Sequence, residues 1–105
     1  MAENFSMINV GDDCMISSNV IIRTGDSHSI LDRNYARINR AANVTIGDHC
    51  WIAEGVRIMK GVILKSDIIV GSNSVVTSSF PPNVIVAGNP GKVIKNEVYW
   101  TKDRL

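Results

Sequence analysis

The chain has 105 residues and a net charge of +1, with 45% apolar and 20% charged residues, the make-up of one ordinary globular domain. With charge this balanced and no massed run of Lys or Arg, the chain has no electrostatic footprint for nucleic acid, and no apolar run approaches the roughly 18 residues of a membrane span. Met1 to Phe5 have neither the basic start nor the apolar core of a signal peptide, so a cytoplasmic location is expected.

Residues 1–9 are weakly patterned, although Met7 and Ile8 are able to open a strand. From Val10 a rhythm begins. Val10, Ile16 and Ile22 recur every six residues, and Cys14 and Val20 fall four places after the first two. Gly11-Asp-Asp13 and Ser17-Ser-Asn19 between them are turn chemistry. Continued in sixes, the apolar positions would fall on His28, Asn34 and Arg40, none of which belongs in an aliphatic core. Residues 27–43 are therefore predicted as an inserted polar loop, the kind of segment in which function concentrates when a rigid scaffold holds it. Cys14 and Cys50 lie 36 residues apart at equivalent small positions. Their spacing reads as two turns of the repeat, and both as reduced core residues.

Phase returns at Val44 and Ile46. Ile46, Ile52, Ile58, Leu64, Val70 and Val76 then follow in strict sixes, with Cys50, Val56, Val62, Ile68 and Ser74 four places after the first five. This is neither a helical period nor a plain alternation. A period of six repeats a short strand and a turn, the signature of a hexapeptide-type parallel β-helix. Three hexads close one triangular coil of about 18 residues, so Ile46 is predicted to stack on Leu64, Ile52 on Val70 and Ile58 on Val76. Pro81-Pro82 interrupts the ladder, and Val84 to Val86 form a last short strand. Ala87 to Gly91 make a turn, and Val93-Ile94 are apolar enough to cover the open end. Residues 96–105 form a short tail, with Asn96 placed to cap one or two helical turns.

The expected architecture is all-β: one domain over 1–105, irregular over 1–9, about three to four coils over 10–86, and a cap and tail over 87–105. A narrow prism buries a modest core and leaves strand edges open. An oligomer is therefore expected, and flat faces suit a cyclic trimer.

Only two histidines are present. His28 stands where the period fails, flanked by Asp26 and Asp32. A carboxylate on one ring nitrogen would leave the other free as a base. His49 lies in a turn, at an outward position that suits a surface group. Trp51 also points outward, so a second subunit or a ligand is expected to cover it. A zinc site shared between prisms needs three histidines, so no metal is expected. No phosphate loop, nucleophile elbow or dinucleotide fingerprint occurs.

Several segments taken together carry a resemblance: Gly25-Asp-Ser-His-Ser-Ile-Leu-Asp32, Arg37-Ile-Asn39, Ile46-Gly-Asp-His-Cys-Trp-Ile52, Val70-Gly-Ser-Asn-Ser-Val-Val-Thr77 and Val86-Ala-Gly-Asn-Pro-Gly-Lys-Val-Ile94. From Val10 to Lys95 the chain resembles the hexapeptide-repeat acyltransferases with a left-handed parallel β-helix. It is most similar to the branch that O-acetylates capsular and other surface polysaccharides or sialic acids. The resemblance implies a left-handed coil, where the general crossover rule gives a right-handed one. It also implies a homotrimer with active sites between prisms, acetyl-CoA as donor, and His28 as the catalytic histidine. Trp51 would line the acetyl end of the cleft. Ala53, Ser72 and Thr77 would contact the pantetheine arm, and Lys92 and Lys95 would lie near the coenzyme's phosphates. The sequence departs from the family at Ser78, where a lysine is usual. It also begins close to the catalytic coil, where relatives carry further coils first.

The expected reaction is direct acetyl transfer from acetyl-CoA to a sugar hydroxyl, with His28 as general base and Asp26 or Asp32 orienting it. Two alternatives stand beside it: a non-catalytic trimeric solenoid left from a truncated acyltransferase, and an N-acetyltransferase of an amino sugar.

Overall fold

A six-residue period leaves room for only two or three extended residues before each corner, and the strands have that length. They are β1 (Ile8–Val10), β2 (Met15–Ile16), β3 (Ile21–Ile22), β4 (Val44–Ile46), β5 (Trp51–Ile52), β6 (Arg57–Ile58), β7 (Ile63–Leu64), β8 (Ile69–Val70) and β9 (Val75–Val76). Two longer strands follow, β10 (Val84–Gly88) and β11 (Gly91–Asn96). The computed structural model describes residues 5–105, and no helix occurs among them. None of the described residues forms a helix long and apolar enough to cross a membrane.

The strands stack into three sheets: β1-β4-β7, β2-β5-β8-β10 with β11 at its edge, and β3-β6-β9. All of these pairings are parallel except β10 with β11. Ile46 pairs with Leu64, Ile52 with Val70 and Ile58 with Val76, as the period predicts. Both inward series are buried. Ile46, Ile52, Ile58, Leu64, Val70 and Val76, and likewise Cys50, Val56, Val62, Ile68 and Ser74, are at most 1% exposed.

Corner chemistry explains the polar residues between strands. Asp13, His49, Asp67 and Asn83 take positive φ at one stacked corner, and Asn19, Gly55 and Asn73 at the next. That region favours Gly, Asn and Asp. The layers are close enough that a Cβ on Gly47 would lie 2.7 Å from the Lys65 carbonyl carbon, which is why a small residue follows the inward aliphatic there.

Four features differ from the sequence reading. First, β1, β2 and β3 pair directly with β4, β5 and β6, so Cys14 and Cys50 sit in adjacent layers rather than two turns apart. The intervening chain leaves after β3 and returns without adding a layer, its neck closed by Ala42 N–H donating to the Thr24 carbonyl at 2.9 Å. Second, pairing begins at Ile8, where the sequence allowed a strand to open, and so two residues before the coils were expected to start at Val10; residues 1–4 of the expected irregular segment lie outside the described residues. Third, the last layer is shorter, with Ile85 pairing with Ile69.

Fourth, residues 91–96 form a strand that ends at Asn96, and the tail beyond it, expected to make one or two helical turns, contains no helix. The turn between Gly88 and Gly91 reverses the chain onto the open edge of β10, whose unpaired backbone groups it satisfies. Val93 and Ile94 therefore extend that edge at 36% and 64% exposure rather than closing the prism.

The inward positions of the first layer are open on one side. Ile16 is 42% exposed, whereas its register partner Ile52 is fully buried. Ile52→Ala is expected to cost about 2–5 kcal/mol in urea unfolding, as large-to-small changes in a closed core do. Ile16→Ala should cost less than half as much. An equal loss at both positions would show that the first layer is covered in solution.

Candidate functional site

The segment after β3 is built on a buried exit. Thr24 and Gly25 are buried, and the Arg23 guanidinium bonds the Ser27 hydroxyl. Asp26 is then held by two donors. Its Oδ2 accepts from Lys60 Nζ at 2.6 Å and from Asn39 Nδ2 at 2.9 Å. These bonds, that of Lys60 first, hold the Asp26 carboxyl below its ordinary range. Lys60 also donates to the Arg40 carbonyl at 3.2 Å, tying both ends of the excursion to the layer that carries β6.

Beyond Asp26 the chain folds into a small antiparallel ribbon. Ile38 N–H donates to the Ile30 carbonyl at 2.9 Å, and Asp32 N–H to the Ala36 carbonyl at 2.9 Å. Asp32 closes the tip, its Oδ1 accepting from the backbone of Asn34 at 2.7 Å and of Ala36 at 3.1 Å. Inside the ribbon lies Asn39, 6% exposed. Its Nδ2 also donates to the His28 carbonyl at 2.8 Å. Its Oδ1 accepts from Ile30 N–H at 2.6 Å and from Arg37 Nε at 3.3 Å.

His28 stands at the base of this ribbon. Its imidazole is exposed and makes no hydrogen bond among the described residues. Neither Asp26 nor Asp32 bonds the ring: Asp26 is engaged by Lys60 and Asn39, and Asp32 by its own turn.

His49 has the opposite setting. Its Nδ1 lies 2.9 Å from Asp13 Oδ2, and its Nε2 lies 3.0 Å from the Trp100 carbonyl. The ring stacks on the Trp100 indole at 4.0 Å between centroids and 13° between planes. Trp100 Nε1 donates back to the His49 carbonyl at 2.8 Å. Lys102 bonds the second Asp13 oxygen at 2.7 Å. The C-terminal tail thus runs back along the corner of Asn83, Asp67, His49 and Asp13. Trp51, outward on β5, is met by this tail, with its ring 5.9 Å from that of Trp100.

The other singled-out residues lie along the prism. Ala53 follows β5, and Ser72 and Thr77 are exposed at the ends of β8 and β9. Lys92 and Lys95 are exposed on β11. A register shift between Ile85 and Val86 sets Lys92 opposite Ala87 and Lys95 opposite Ile85. Opposed residues of an antiparallel pair project to the same side, so both lysines share the outer face of that sheet. The sequence reading did not single out Asn39, Lys60 or Trp100 for these roles. The signals for Asn39 are a polar residue inside the interrupted stretch and its place in the Arg37-Ile-Asn39 segment. For Trp100 the signal is a tryptophan in a polar tail.

Residues 43–78 match the family described as bacterial transferase hexapeptide (six repeats). The chain is 40% identical over 96 residues to the polysialic acid O-acetyltransferase of Escherichia coli O1:K1 / APEC, covering 90% of this chain and 31% of that protein. Among solved structures it superposes on the polysialic acid O-acetyltransferase OatWY with a TM-score of 0.95 at 36% identity, covering 99% of this chain and 50% of the other. It superposes on a galactoside acetyltransferase in complex with coenzyme A with a TM-score of 0.79 at 28% identity, covering 97% and 54%. The chain spans about half the length, or less, of these proteins.

The His49 geometry has a consequence for pH. Both ring nitrogens face oxygen acceptors, and a neutral imidazole has only one N–H. The Trp100 carbonyl, then the Asp13 carboxylate, therefore raise the His49 pKa above 6.5. Desolvation opposes this, and Asp67 adds a weaker attraction. With the folded value raised, the stabilisation of the docked tail is fully present below pH 6.5. It is lost as pH rises through the folded-state value. Trp51 and Trp100 are the only tryptophans, so their fluorescence reports the tail directly. Emission is expected to change as pH is raised above 6.5, and His49→Gln should flatten that curve. A His49→Gln protein that reproduces the wild-type curve would assign the transition to another group.

Proposed function

We propose that this chain, which carries the hexapeptide repeat of the bacterial transferases, is an acetyl-CoA-dependent O-acetyltransferase acting on a sugar hydroxyl. The observation that carries the proposal is His28: an exposed imidazole with no hydrogen bond among the described residues, on a ribbon pinned to the scaffold. The similarity to named polysialic acid O-acetyltransferases, and to a galactoside acetyltransferase solved with coenzyme A, supports the donor and the acceptor class. We read the stacked triplets of strands as a left-handed β-helix of about three to four coils, with the loop around 27–43 inserted, forming a single unit over the chain. Three such prisms would pack as a homotrimer with acetyl-CoA in the clefts between them, in the cytoplasm, where the donor is made.

In this reading the acceptor hydroxyl lies between His28 and the thioester. Neutral His28 takes the hydroxyl proton as the oxygen attacks the thioester carbonyl. A backbone N–H stabilises the oxyanion. The carbon–sulfur bond then breaks, and the coenzyme leaves as the thiol with the proton from His28. Because the thioester is already activated, juxtaposition of donor and acceptor does most of the work. Trp51 borders the acetyl end of the cleft. Ala53, Ser72 and Thr77 line the pantetheine arm, and the paired Lys92 and Lys95 meet its phosphates.

An acceptor screen with acetyl-CoA, read as released thiol, tests the reaction. His28→Ala is expected to lower kcat by about 10²–10⁴-fold while coenzyme A binding persists in calorimetry. Full transfer by His28→Ala would overturn the mechanism. Failure of the wild type to bind coenzyme A would favour a non-catalytic solenoid, and base-stable amide products would favour N-acetylation. Replacing both lysines, Lys92→Glu with Lys95→Glu, is expected to raise KM for acetyl-CoA about tenfold with kcat little changed.

A further inference from the structure

We infer that Asn39 is a positioning residue for the transfer, holding the His28 backbone in place through an Asp26–Lys60 anchor; this rests on the reading of His28 as the base. The side chain of Asn39 is an amide with all four of its hydrogen-bonding places filled. Two N–H donors reach Asp26 Oδ2 at 2.9 Å and the His28 carbonyl at 2.8 Å. The oxygen accepts from Ile30 N–H at 2.6 Å and from Arg37 Nε at 3.3 Å. It therefore ties the strand entering the ribbon to the strand leaving it. Asn39 is 6% exposed in a ribbon that is otherwise almost wholly exposed.

The anchor gives the clamp a fixed frame. Asp26 Oδ2 is shared between Asn39 and Lys60 Nζ, and Lys60 follows β6 by two residues. A chain of contacts thus runs from the core layer through Lys60, Asp26 and Asn39 to the His28 carbonyl. Such a chain is needed because His28 has no rung of its own. It lies outside the ladder, and its imidazole makes no hydrogen bond among the described residues. Asp26 acts on His28 through Asn39, and Asp32 serves the ribbon tip instead. An acid of the same shape could not replace the amide. It would keep the two accepting contacts, lose both donors, and set a carboxylate against Asp26 and the His28 carbonyl.

Two variants test this in the full-length chain. Asn39→Asp is expected to lower kcat about 100-fold, the scale of a misplacement near 1 Å, with KM for acetyl-CoA unchanged. The exchange variant, Asp26→Asn with Asn39→Asp, restores a donor–acceptor pair between the two positions but still offers the His28 carbonyl no donor. It should recover the thermal midpoint and leave kcat low. Recovery of kcat together with the midpoint would show a merely structural role and overturn the inference, as would wild-type kcat in Asn39→Asp. His28→Ala, run alongside, separates the two readings: if it stays fully active, the mechanism itself has failed. A readout independent of turnover is the histidine NMR spectrum, where only His28 and His49 contribute. Asn39→Asp should move the His28 resonance and leave that of His49 in place, and an unmoved His28 line would overturn the inference even in a protein without transferase activity.

Discussion

The stacking of inward aliphatic side chains, layer upon layer in register, is the constraint on which the rest of this structure depends. Each layer has only a few inward positions, so each must be apolar or small and must fall directly over its counterpart. Ile46 over Leu64 and Ile52 over Val70 meet that requirement with at most 1% of any of these residues exposed. Layers that lie about 4.8 Å apart leave no room at the residue after the aliphatic, hence Gly47. The corners must then reverse direction within a few residues, hence the positive-φ Asn, Asp and Gly positions. Once core and corners are assigned, the outward positions are the ones free to vary in chemistry.

The excursion between Ile22 and Val44 shows how strong this register is. The chain leaves the prism and returns, and the strands on either side still pair as adjacent layers. Residues in the excursion have no ladder to satisfy their backbone groups, and buried polar groups must find partners somewhere. Asp32 supplies partners at the tip and Asn39 in the interior. Asn39, which substitutes for the missing ladder in the interior, also bonds the His28 carbonyl.

The core and its interruption were legible in the sequence because both rest on a local period. The spacing of Ile46 to Val76 fixes which side chains point inward, and the misfit of His28, Asn34 and Arg40 marks the break. What stayed hidden depends on contacts between distant residues. Cys14 and Cys50 looked two turns apart because the excursion happens to lengthen the chain by about one turn, and counting cannot distinguish a turn from a detour of that length. The strand at 91–96 is a different case: two apolar runs around Gly88-Asn-Pro-Gly91 are a local hairpin signal, but Val93-Ile94 equally suits an end cap, and composition does not decide between the two. Asn39 lay in a segment that carried the resemblance, but its role was hidden, since that role lies in four bonds that exist only once the ribbon has closed. Trp100 meets His49 across 51 positions, and no periodicity links the two.

The two histidines show what decides whether such a side chain can serve as a base. Both sit near carboxylates in sequence, and at His28 the flanking acids invited the idea of an oriented ring. A general base needs one ring nitrogen with a free lone pair and access to the proton it takes. At His49 both nitrogens are committed to oxygens and the ring is sandwiched against an indole, which favours the charged form and leaves nothing to accept a proton. At His28 the restraint falls on the backbone instead, through the Asn39 bond to its carbonyl, and the ring is left open. Holding a residue by its main chain while sparing its side chain combines a fixed position with a free lone pair. A clamp on the imidazole itself would have to give up one of the two.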